Sequence, residues 1–397
     1  MKYIPYSQFT NVKKIAEGGF SIVYQATLLD DKIKNVCFRE GHENTFILKR
    51  FKNSQYAKEY FLRELQSNHH CRAGFDSVLP HMVIKTHGFT KDPRLDSLDS
   101  YILVMEYAPS GDLYNYLQNN FTEINWRKKK SIIFDTIYGL RNIHNKEFLH
   151  RDLHSGNLLI SDLFNNICEC KIGDLGLSRH VNDTLSDNEI YGVIPYIAPE
   201  IFMGSAFSIE SDIYSLGMIM WELTTGCKPF ANVEHDIDLI IKIIDGARPK
   251  ITEDTPECYA KLMKRCWDPN PKKRPSIGII KNICDDWFDH EFDQAELKRK
   301  KLIDSKKLGP KFSEKPHPKA IYTSRLLSSY ISKCSSIFSN CSSINFSSNG
   351  YISNELEFDI DIKSNRLDSL GTKRNIEELN INSCENNGKR IKLLKEQ

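Results

Sequence analysis

The segment His150–Asn157 constrains the fold and chemistry of this chain more than any other feature. It places an acid, Asp152, and an amide, Asn157, five residues apart on a loop that follows a helical pattern and precedes the apolar run LLI. A second acid, Asp174, comes seventeen residues after Asn157 and is followed by Leu-Gly. Asn157 and Asp174 carry the hard oxygen ligands that Mg²⁺ prefers, and Asp152 is free to orient a hydroxyl group. The alternative is three unrelated surface loops, which would require this order and spacing to arise by chance.

The apolar pattern of residues 9–107 differs from that of the residues that follow. Short alternating or continuous apolar runs predict strands, among them FSIVYQATL, TFILKRF, VIKTHGF and YILVMEY. One segment with helical periodicity, Tyr56–Ser67, interrupts them, and after Gly111 the segments WRKKKSIIFDTIYGLRNIH and SDIYSLGMIMWELTTG are typical of helices. The sequence therefore predicts an α+β chain with a small β-rich lobe followed by a larger α-helical lobe.

Two features of the β-rich region suit a ligand that carries phosphate. Residues 17–20 (EGGF) lie between two predicted strands and predict a glycine-rich hairpin, in which backbone amides can approach a phosphate closely. Lys49 lies inside the apolar run FILKRF and needs a partner for its charge; Glu64, fifteen residues later on the predicted helix, is a candidate. Both features also have ordinary explanations, because many hairpins contain Gly-Gly and the amine of a strand lysine often reaches solvent.

The C-terminal residues differ in composition from the rest of the chain. From Glu291 onward there are 19 basic and 14 acidic residues, a net charge of +5. Lys298–Lys319 carries nine of the basic residues, and half of Thr323–Gly350 is Ser or Asn. A segment this polar cannot bury enough apolar surface to offset the entropy lost on folding. We therefore expect an ordered domain over residues 9–288 and a basic, Ser- and Asn-rich tail over residues 289–397 that is mostly disordered.

The overall charge and the apolar runs bound the classes of partner. The 54 Lys and Arg residues against 52 Asp and Glu give a net charge of +2, which argues against nucleic acid as the main partner. The best apolar run, around Ile213–Trp221, is too short for a transmembrane segment, which needs about 18–20 residues. The N-terminal residues lack the apolar stretch of a secretory signal, and eleven cysteines then indicate free thiols. We expect a cytoplasmic protein, and the basic end GKRIKLLKEQ leaves nuclear import open.

In combination, these motifs resemble the eukaryotic protein kinases over residues 9–287. The resemblance is carried by HRDLHSGN, DLG and APE in that order, together with Lys49 and Glu64. WELTTG and the pair Cys266-Trp267 further resemble the tyrosine-kinase and tyrosine-kinase-like groups, and the sequence also resembles kinase families expanded in some fungi. Membership would imply the bilobal protein kinase fold, ATP and Mg²⁺ as cofactors and hydroxyl groups of proteins as acceptors.

The resemblance also implies roles for individual residues. Asp152 would accept or orient the substrate hydroxyl, and Lys49 would bind the ATP phosphates while Glu64 holds it in place. Asn157 and Asp174 would hold the metal ions. The positions implied for contact with ATP are Ala16, Glu17, Gly18, Gly19, Phe20, Ser21, Val23, Ile47, Lys49, Met105, Glu106 and Ala108.

Further residues are implied to support or regulate the site. His150 opens the catalytic loop, Asp212 would brace it, and Glu200 would pair with Arg274. In the family, the arginine at the position of Arg151 often binds a phosphate on the activation loop, which here precedes Glu200. The hydroxyls available in that loop are Ser178, Thr184, Ser186 and Tyr191.

Several positions depart from the family pattern around the nucleotide. Ala16 and Ser21 replace the first and third glycines of the phosphate-binding loop, and both are small enough for the loop to close. Leu175 replaces the phenylalanine of the metal-binding triplet, an exchange of one apolar residue for another. Ile47 stands where the family usually has alanine against adenine, and its three extra carbons would crowd the nucleotide pocket.

Two more departures concern the acceptor. His154 replaces the lysine that serine/threonine kinases commonly carry near the transferred phosphate, and Val193 replaces the threonine that usually bonds the catalytic acid. The arginine that tyrosine kinases carry near Asp152 is also absent. We therefore expect a slow or unusually selective serine/threonine kinase that acts on proteins in signalling, and tyrosine remains open as an acceptor.

The competing hypothesis is a pseudokinase, which binds nucleotide or partners without efficient transfer. Its usual mark is the loss of the lysine, the aspartates or the asparagine named above, whereas all of them are present here. The crowding expected from Ile47 is the main argument in its favour. A small-molecule kinase would share the core acids but not the combination of APE, Asp212 and Arg274. The tail is either a region that binds partners or a polar extension without a specific role.

Overall fold

The computed structural model describes residues 2–29, 45–52, 57–72, 82–94, 101–162, 168–183, 189–308 and 316–340. These residues form two lobes. The first consists of a β-sheet and one helix, and the second consists mostly of helices. The predicted α+β architecture, with a small β-rich lobe followed by a larger α-helical lobe, is confirmed.

Six strands form the sheet of the first lobe: β1 (Lys2–Tyr3), β2 (Phe9–Glu17), β3 (Ser21–Leu28), β4 (Thr45–Phe51), β5 (Thr86–Lys91) and β6 (Tyr101–Glu106). Their order is β1-β5-β6-β4-β3-β2; β1 runs parallel to β5, and the other neighbours are antiparallel. The sheet begins before residue 9, because Lys2 pairs with Gly88. A Cβ at Gly88 would lie 2.0 Å from the carbonyl oxygen of Lys2, so this pairing requires glycine.

Helix α1 (Ala57–Arg72) packs on one face of this sheet. Phe61 of α1 is buried with Leu103 and Met105 of β6, whereas Phe46 and Leu48 of β4 belong to the core on the opposite face. Because side chains alternate along a strand, Ile47 and Lys49 share the face of β4 that looks toward α1. The helix predicted over Tyr56–Ser67 is confirmed from Ala57 onward and extends to Arg72, while Tyr56 lies outside the described residues.

The helices of the second lobe are α2 (Leu113–Asn120), α3 (Trp126–His144), α4 (Pro199–Phe202), α5 (Ile209–Thr225), α6 (Ile237–Ile244), α7 (Glu257–Cys266), α8 (Ile277–Asp285), α9 (Asp289–Asp304) and α10 (Ser328–Asn340). Helix α5 is the central one, because every residue from Ser211 to Thr225 is buried. Ser208 forms a capping box at its start, and Gly226 ends it in the left-handed conformation with φ of 70°.

Short strand pairs position the loops between these helices. The strands are β7 (Phe148–Leu149), β8 (Leu158–Asp162), β9 (Cys168–Ile172), β10 (Arg179–His180), β11 (Tyr191–Gly192) and β12 (Arg325–Leu326), which pair as β7–β10, β8–β9 and β11–β12. Leu158 pairs with Ile172 in the β8–β9 hairpin. The loop that ends at residue 157 and the loop that starts at residue 173 therefore lie side by side.

Residues 289–308 and 316–340 are structured where the sequence predicts a mostly disordered tail. Helix α9 packs on α3: its Glu296 accepts the N–H of Trp126 at 3.0 Å, and Phe292 is 2% exposed. Leu327 and Cys334 are also fully buried. The polar composition conceals these contacts, because a few apolar residues at intervals are enough to dock a short segment on an existing lobe. Packed residues thus continue beyond residue 288, where the sequence places the domain boundary; that boundary stays a prediction, as does disorder for residues 309–315 and 341–397, which lie outside the described residues.

In the part of the chain that the structure describes, no helix combines the length and apolar character required to cross a membrane.

Candidate active site

Lys49 lies at the centre of the candidate site. Strand β4 places it beside Val23 of β3 and Leu103 of β6. Its Nζ lies 2.7 Å from Oε2 of Glu64 and 2.8 Å from Oδ1 of Asp174. The side chain of Lys49 is only 8% exposed and that of Glu64 is fully buried. The structure thus brings the predicted lysine–glutamate pair together with the predicted metal-binding aspartate.

Burial and charge act in opposite directions on these three groups. Desolvation would lower the pKa of Lys49, but the carboxylates of Asp174 and Glu64 outweigh it and raise the pKa above its ordinary value. Desolvation raises the pKa of Glu64 in spite of the lysine beside it. For Asp174, desolvation is outweighed by Lys49, which lowers the pKa. Lys49 and Asp174 are therefore fixed charges of opposite sign at neutral pH.

The glycine-rich hairpin between β2 and β3 closes one side of the site. The N–H of Gly18 donates to the carbonyl of Ser21 at 2.9 Å. A Cβ at Gly18 would meet none of the described atoms within 4 Å, so a ligand could approach this backbone. At the tip, the ring of Phe20 lies 5.1 Å from that of Tyr60 on α1 and 4.9 Å from that of Tyr191 on β11. The hairpin is therefore tied to α1 and to the activation loop.

Asp152 and Asn157 lie on the loop between β7 and β8. Nδ2 of Asn157 donates to the carbonyl of Asp152 at 2.8 Å, which fixes the two residues relative to each other. Nδ1 of His154 accepts the N–H of Gly156 at 3.1 Å, so the neutral imidazole carries its proton on Nε2. That Nε2 lies 3.7 Å from Oδ2 of Asp152. His154 therefore faces the candidate catalytic aspartate.

Asp212 on α5 braces this loop, as the resemblance implies. Its Oδ2 accepts the N–H of His150 at 2.8 Å and its Oδ1 accepts that of Arg151 at 3.0 Å. Nε2 of His144 donates to Oδ2 at 3.0 Å. Desolvation would raise the pKa of Asp212, but the hydrogen bond and charge of His144 lower it. Arg151 has a φ of 71°, a left-handed conformation that persists only where the surrounding structure holds it. The guanidinium of Arg151 lies 4.8 Å from the ring centre of Phe207.

His150 joins the catalytic loop to the loop that carries Asp174. Its Nδ1 accepts the N–H of Asp152 at 3.3 Å, and its Nε2 donates to the carbonyl of Gly173 at 3.1 Å. Desolvation lowers the pKa of His150, which favours the neutral ring that these two bonds require. Asp174 follows directly in the left-handed conformation, with φ of 54°, and its Oδ1 also accepts the N–H of Gly176 at 3.3 Å.

The oxygen atoms of Asn157 and Asp174 fit the magnesium ion that the resemblance implies. Since Nδ2 of Asn157 is committed to Asp152, its Oδ1 is the atom left to bind a cation. Oδ1 of Asp174 contacts Nζ of Lys49 and accepts the N–H of Gly176, so Oδ2 is the atom of Asp174 that is left to bind a cation. One carboxylate oxygen and one amide oxygen, completed by water and phosphate oxygens, is a ligand set that Mg²⁺ commonly takes.

Met105 and Ile47 lie where the resemblance places the adenine ring. They are register partners on β6 and β4, and Leu159 of β8 packs against the same buried cluster. These three side chains bring apolar surface from both lobes to one place. Glu106, the next residue along β6, forms an ion pair with Lys171 of β9. The crowding expected from Ile47 stays a prediction.

Glu200 and Arg274 form the buried ion pair that the resemblance implies. Nη1 and Nη2 of Arg274 donate to the two carboxylate oxygens of Glu200 at 2.7 and 2.8 Å. The guanidinium also donates to the carbonyls of Asp268 and Glu210 at 2.8 and 2.9 Å. This pair anchors the end of the activation loop to the segment between α7 and α8.

The four hydroxyls predicted as regulatory sites differ in their surroundings. Ser178 is 1% exposed and its hydroxyl donates to the carbonyl of His150 at 3.4 Å, so it belongs to the packed interior. Tyr191 lies nearer the surface, and its hydroxyl donates to Glu189 at 2.8 Å. Thr184 and Ser186 lie outside the described residues.

The sequence did not predict several supporting contacts. Tyr60 holds the hairpin through Phe20, and His144 bonds to Asp212. The hydroxyl of Tyr196 donates to Oε2 of the buried Glu222 at 2.6 Å, and desolvation raises the pKa of Glu222 to about 6. Glu222 did carry a signal, because an acid inside a continuous apolar helix needs a partner.

Comparison with known proteins places these features in a family. The family model described as protein tyrosine and serine/threonine kinase matches residues 9–283. "Stress-activated protein kinase alpha" of Dictyostelium discoideum is 34% identical over 212 residues, which cover 50% of this chain and 32% of that protein. "Probable serine/threonine-protein kinase roco5" of the same organism is 29% identical over 289 residues, which cover 69% of this chain and 9% of that protein. The matched region thus spans a third or less of each of these two relatives.

Proposed function

Because the chain belongs to the protein tyrosine and serine/threonine kinase family, we propose that it transfers the γ-phosphoryl group of ATP to serine or threonine hydroxyls of proteins. The observation that carries this proposal is the contact of the buried Lys49 with both the buried Glu64 and the partly exposed Asp174. In the family, this ion pair and the metal-binding aspartate must both be in place for transfer.

Each group of residues would then make one contribution to the reaction. Lys49 supplies a fixed positive charge for the phosphates, and the hairpin around Gly18 offers backbone amides on the other side. Asp152 accepts the hydrogen bond of the acceptor hydroxyl and takes its proton. Asn157 and Asp174 would hold Mg²⁺, which neutralises charge on the phosphates when it is bound. Positioning and charge account for the acceleration, since a loose transition state requires little covalent help from the protein.

The preference for serine or threonine is proposed from the relatives and from the surroundings of Asp152. The matched relatives include the protein named as a serine/threonine kinase above. His154 with its Nε2 toward Asp152 stands where these kinases commonly carry lysine, and Val193, which is 1% exposed, cannot donate a hydrogen bond to that acid. We expect slow transfer, and the double substitution His154→Lys with Val193→Thr should raise turnover.

The pseudokinase alternative has no specific observation in its favour. The residues whose loss would mark it are present, and the structure brings Lys49, Glu64 and Asp174 into direct contact. The place of action in the cell, expected to be the cytoplasm, is a proposal from the sequence.

The test is transfer of radiolabelled phosphate from ATP with Mg²⁺ to a basic acceptor protein and to the chain itself, with phosphoamino-acid analysis. Asp152→Asn should lower the rate about 100-fold or more, because the hydroxyl loses its proton acceptor. Asp293→Asn, an exposed aspartate on α9, is the matched control and should transfer at the wild-type rate. Label on tyrosine would contradict the proposed specificity. Equal rates for the wild type and Asp152→Asn would contradict the proposed function.

A further inference from the structure

Residues 321–327, here called the docked strand, lie against the activation loop beside the candidate site. Strand β12 pairs antiparallel with β11, with Arg325 opposite Gly192 and Leu326 opposite Tyr191. The N–H of Leu327 continues the pairing by donating to the carbonyl of Ile190 at 2.7 Å. Addition of a strand to an exposed edge is a common way for a protein to hold an extended peptide.

Leu327 anchors one end of the docked strand. It is fully buried, and a Cβ at Gly192 would lie 3.7 Å from its Cδ1 and 2.3 Å from Cδ1 of Ile197. A side chain at Gly192 would collide with Ile197, which directly precedes the APE motif, and Leu327 lies within van der Waals distance of the same point. Leu326 points away from this contact and is 44% exposed.

Tyr322 anchors the other end against the helical lobe. Its hydroxyl donates to the carbonyl of Pro229 at 2.8 Å. His235 meets the ring edge-on with centroids 4.7 Å apart, and Nζ of Lys228 also lies 4.7 Å from the ring centre. On the N-terminal side, Lys319 forms an ion pair with Glu234 at 3.0 Å.

Ser324 lies between the two anchors and under the glycine-rich hairpin. Its carbonyl oxygen would be 3.4 Å from a Cβ at Gly19, which places the backbone of Ser324 directly beside the hairpin tip. Its Oγ is buried and has no hydrogen-bond partner among the described residues. An unpartnered buried hydroxyl is unfavourable by itself, so a partner in the reacting state would account for it. The neighbouring Thr323 is exposed.

We propose that the docked strand occupies the protein-substrate site of this kinase in cis and presents Ser324 as the acceptor hydroxyl. The inference rests on the proposed function and names a substrate for it. A bond forms between Oγ of Ser324 and the γ-phosphorus, the bond from that phosphorus to the bridging oxygen breaks, ADP leaves, and the hydroxyl proton passes to Asp152. A phosphate at Ser324 adds a charge of about −1.5 to −2 beneath the hairpin and favours release of the strand. The site then becomes available to other proteins.

The first test is binding of a fluorescent peptide with the sequence of residues 318–328 to three forms of the full chain. Leu327→Asp puts a carboxylate into the apolar contact and should release the strand, so that the peptide binds about tenfold more tightly or better than to the wild type. Leu326→Asp introduces the same charge one residue earlier on the exposed side and should bind the peptide as weakly as the wild type does. Equal affinity for all three forms would overturn the proposal.

The second test is mass spectrometry of the chain after incubation with ATP and Mg²⁺. We expect phosphate on Ser324 in the wild type and in Leu326→Asp, at a first-order rate that does not change with protein concentration, as a reaction in cis requires. Leu327→Asp should lose it, as should Tyr322→Ala, which is the second variant in case Leu327→Asp does not fold. Label on an added acceptor protein without label on Ser324 would overturn this proposal and leave the proposed function standing. No label anywhere would contradict the proposed function, and the peptide-binding comparison would still decide whether the strand occupies the groove.

Discussion

The substitution Asp212→Asn tests whether the catalytic loop is held from behind in the way the structure indicates. Two oxygens of Asp212 accept three hydrogen bonds, from the backbone amides of His150 and Arg151 and from the imidazole of His144. Asparagine has a single acceptor oxygen, and its NH₂ group must face at least one of these donors. The variant therefore loses a bond in either orientation of the amide.

The size of the effect follows from the burial of these groups. Asp212 is 1% exposed, so an unpaired N–H beside it costs about 1–3 kcal/mol. The remaining bonds lose their charged acceptor, which adds about 1–2 kcal/mol. A total of about 2–5 kcal/mol is a large part of the stability of a domain of ordinary size, which is about 5–15 kcal/mol. Arg151 would also relax from its left-handed conformation, and a shift of about 1 Å in the neighbouring Asp152 would lower kcat about 100-fold.

Guanidinium chloride unfolding, followed by tryptophan fluorescence, measures the loss in unfolding free energy. Initial rates at a temperature where the variant is folded measure the loss in kcat. Asp254→Asn is the control, because Asp254 is an equally buried aspartate of the helical lobe whose carboxylate oxygens have no hydrogen-bond partner among the described residues, those of the catalytic loop included. An unchanged unfolding midpoint for Asp212→Asn would refute the bracing. A lower midpoint with wild-type kcat would show that Asp212 stabilises the lobe without positioning Asp152.

Three further predictions concern buried charges. Arg274→Met leaves the carboxylate of Glu200 unpaired in the interior and should cost about 3–5 kcal/mol in guanidinium unfolding, whereas adding Glu200→Gln to that variant should recover part of the loss. Burial raises the pKa of Glu222 from 4.5 to about 6, so the unfolded chain releases this proton at a lower pH than the folded protein does. As the pH rises between these two values, the free energy of unfolding should therefore fall by about 2 kcal/mol. Glu222→Gln should flatten that part of the pH profile. Lys49→Met should lower the transfer rate about 100-fold or more. The Lys49→Met variant should lose less thermal stability at acidic pH than at alkaline pH, because the buried Glu64 can take up a proton at acidic pH once its cation is gone. Equal losses at the two pH values would contradict that explanation.

The parts of the fold that follow a local pattern could be predicted from the sequence. Strand β4 has the bounds of the run TFILKRF, because an apolar strand in the middle of a sheet is continuous and ends where its neighbours end. The run VIKTHGF, in contrast, is only partly strand β5. Its first residues instead pair with the helical lobe: Val83 bridges to Ile172, and the N–H of Ile84 donates to the carbonyl of the same residue at 2.8 Å. A contact with another lobe leaves no mark in the periodicity of the run.

The candidate site likewise contains contacts that could be predicted from the sequence and contacts that could not. The pairing of Lys49 with Glu64 could be predicted because a charge in an apolar strand requires a partner, and an acid on the next helix is within reach. The contact of Phe20 with Tyr191 could not, because it depends on how far the hairpin closes over the activation loop. Likewise, His144 is an ordinary residue in the last turn of α3 until α5 brings Asp212 against it. Such contacts are consequences of tertiary packing rather than of local sequence.

The docked strand shows why composition misleads where a segment binds to a surface that is already folded. The disorder predicted for residues 289–397 assumed that a segment must bury its own apolar side chains against one another to become ordered. Residues 321–327 instead use backbone hydrogen bonds to β11 and two anchoring side chains, the half-buried Tyr322 and the fully buried Leu327, against surface that the helical lobe provides. A peptide substrate has to leave after the reaction, so it carries polar side chains and little apolar surface of its own. A cis substrate and a disordered tail are therefore alike in composition, and only the partner surface distinguishes them.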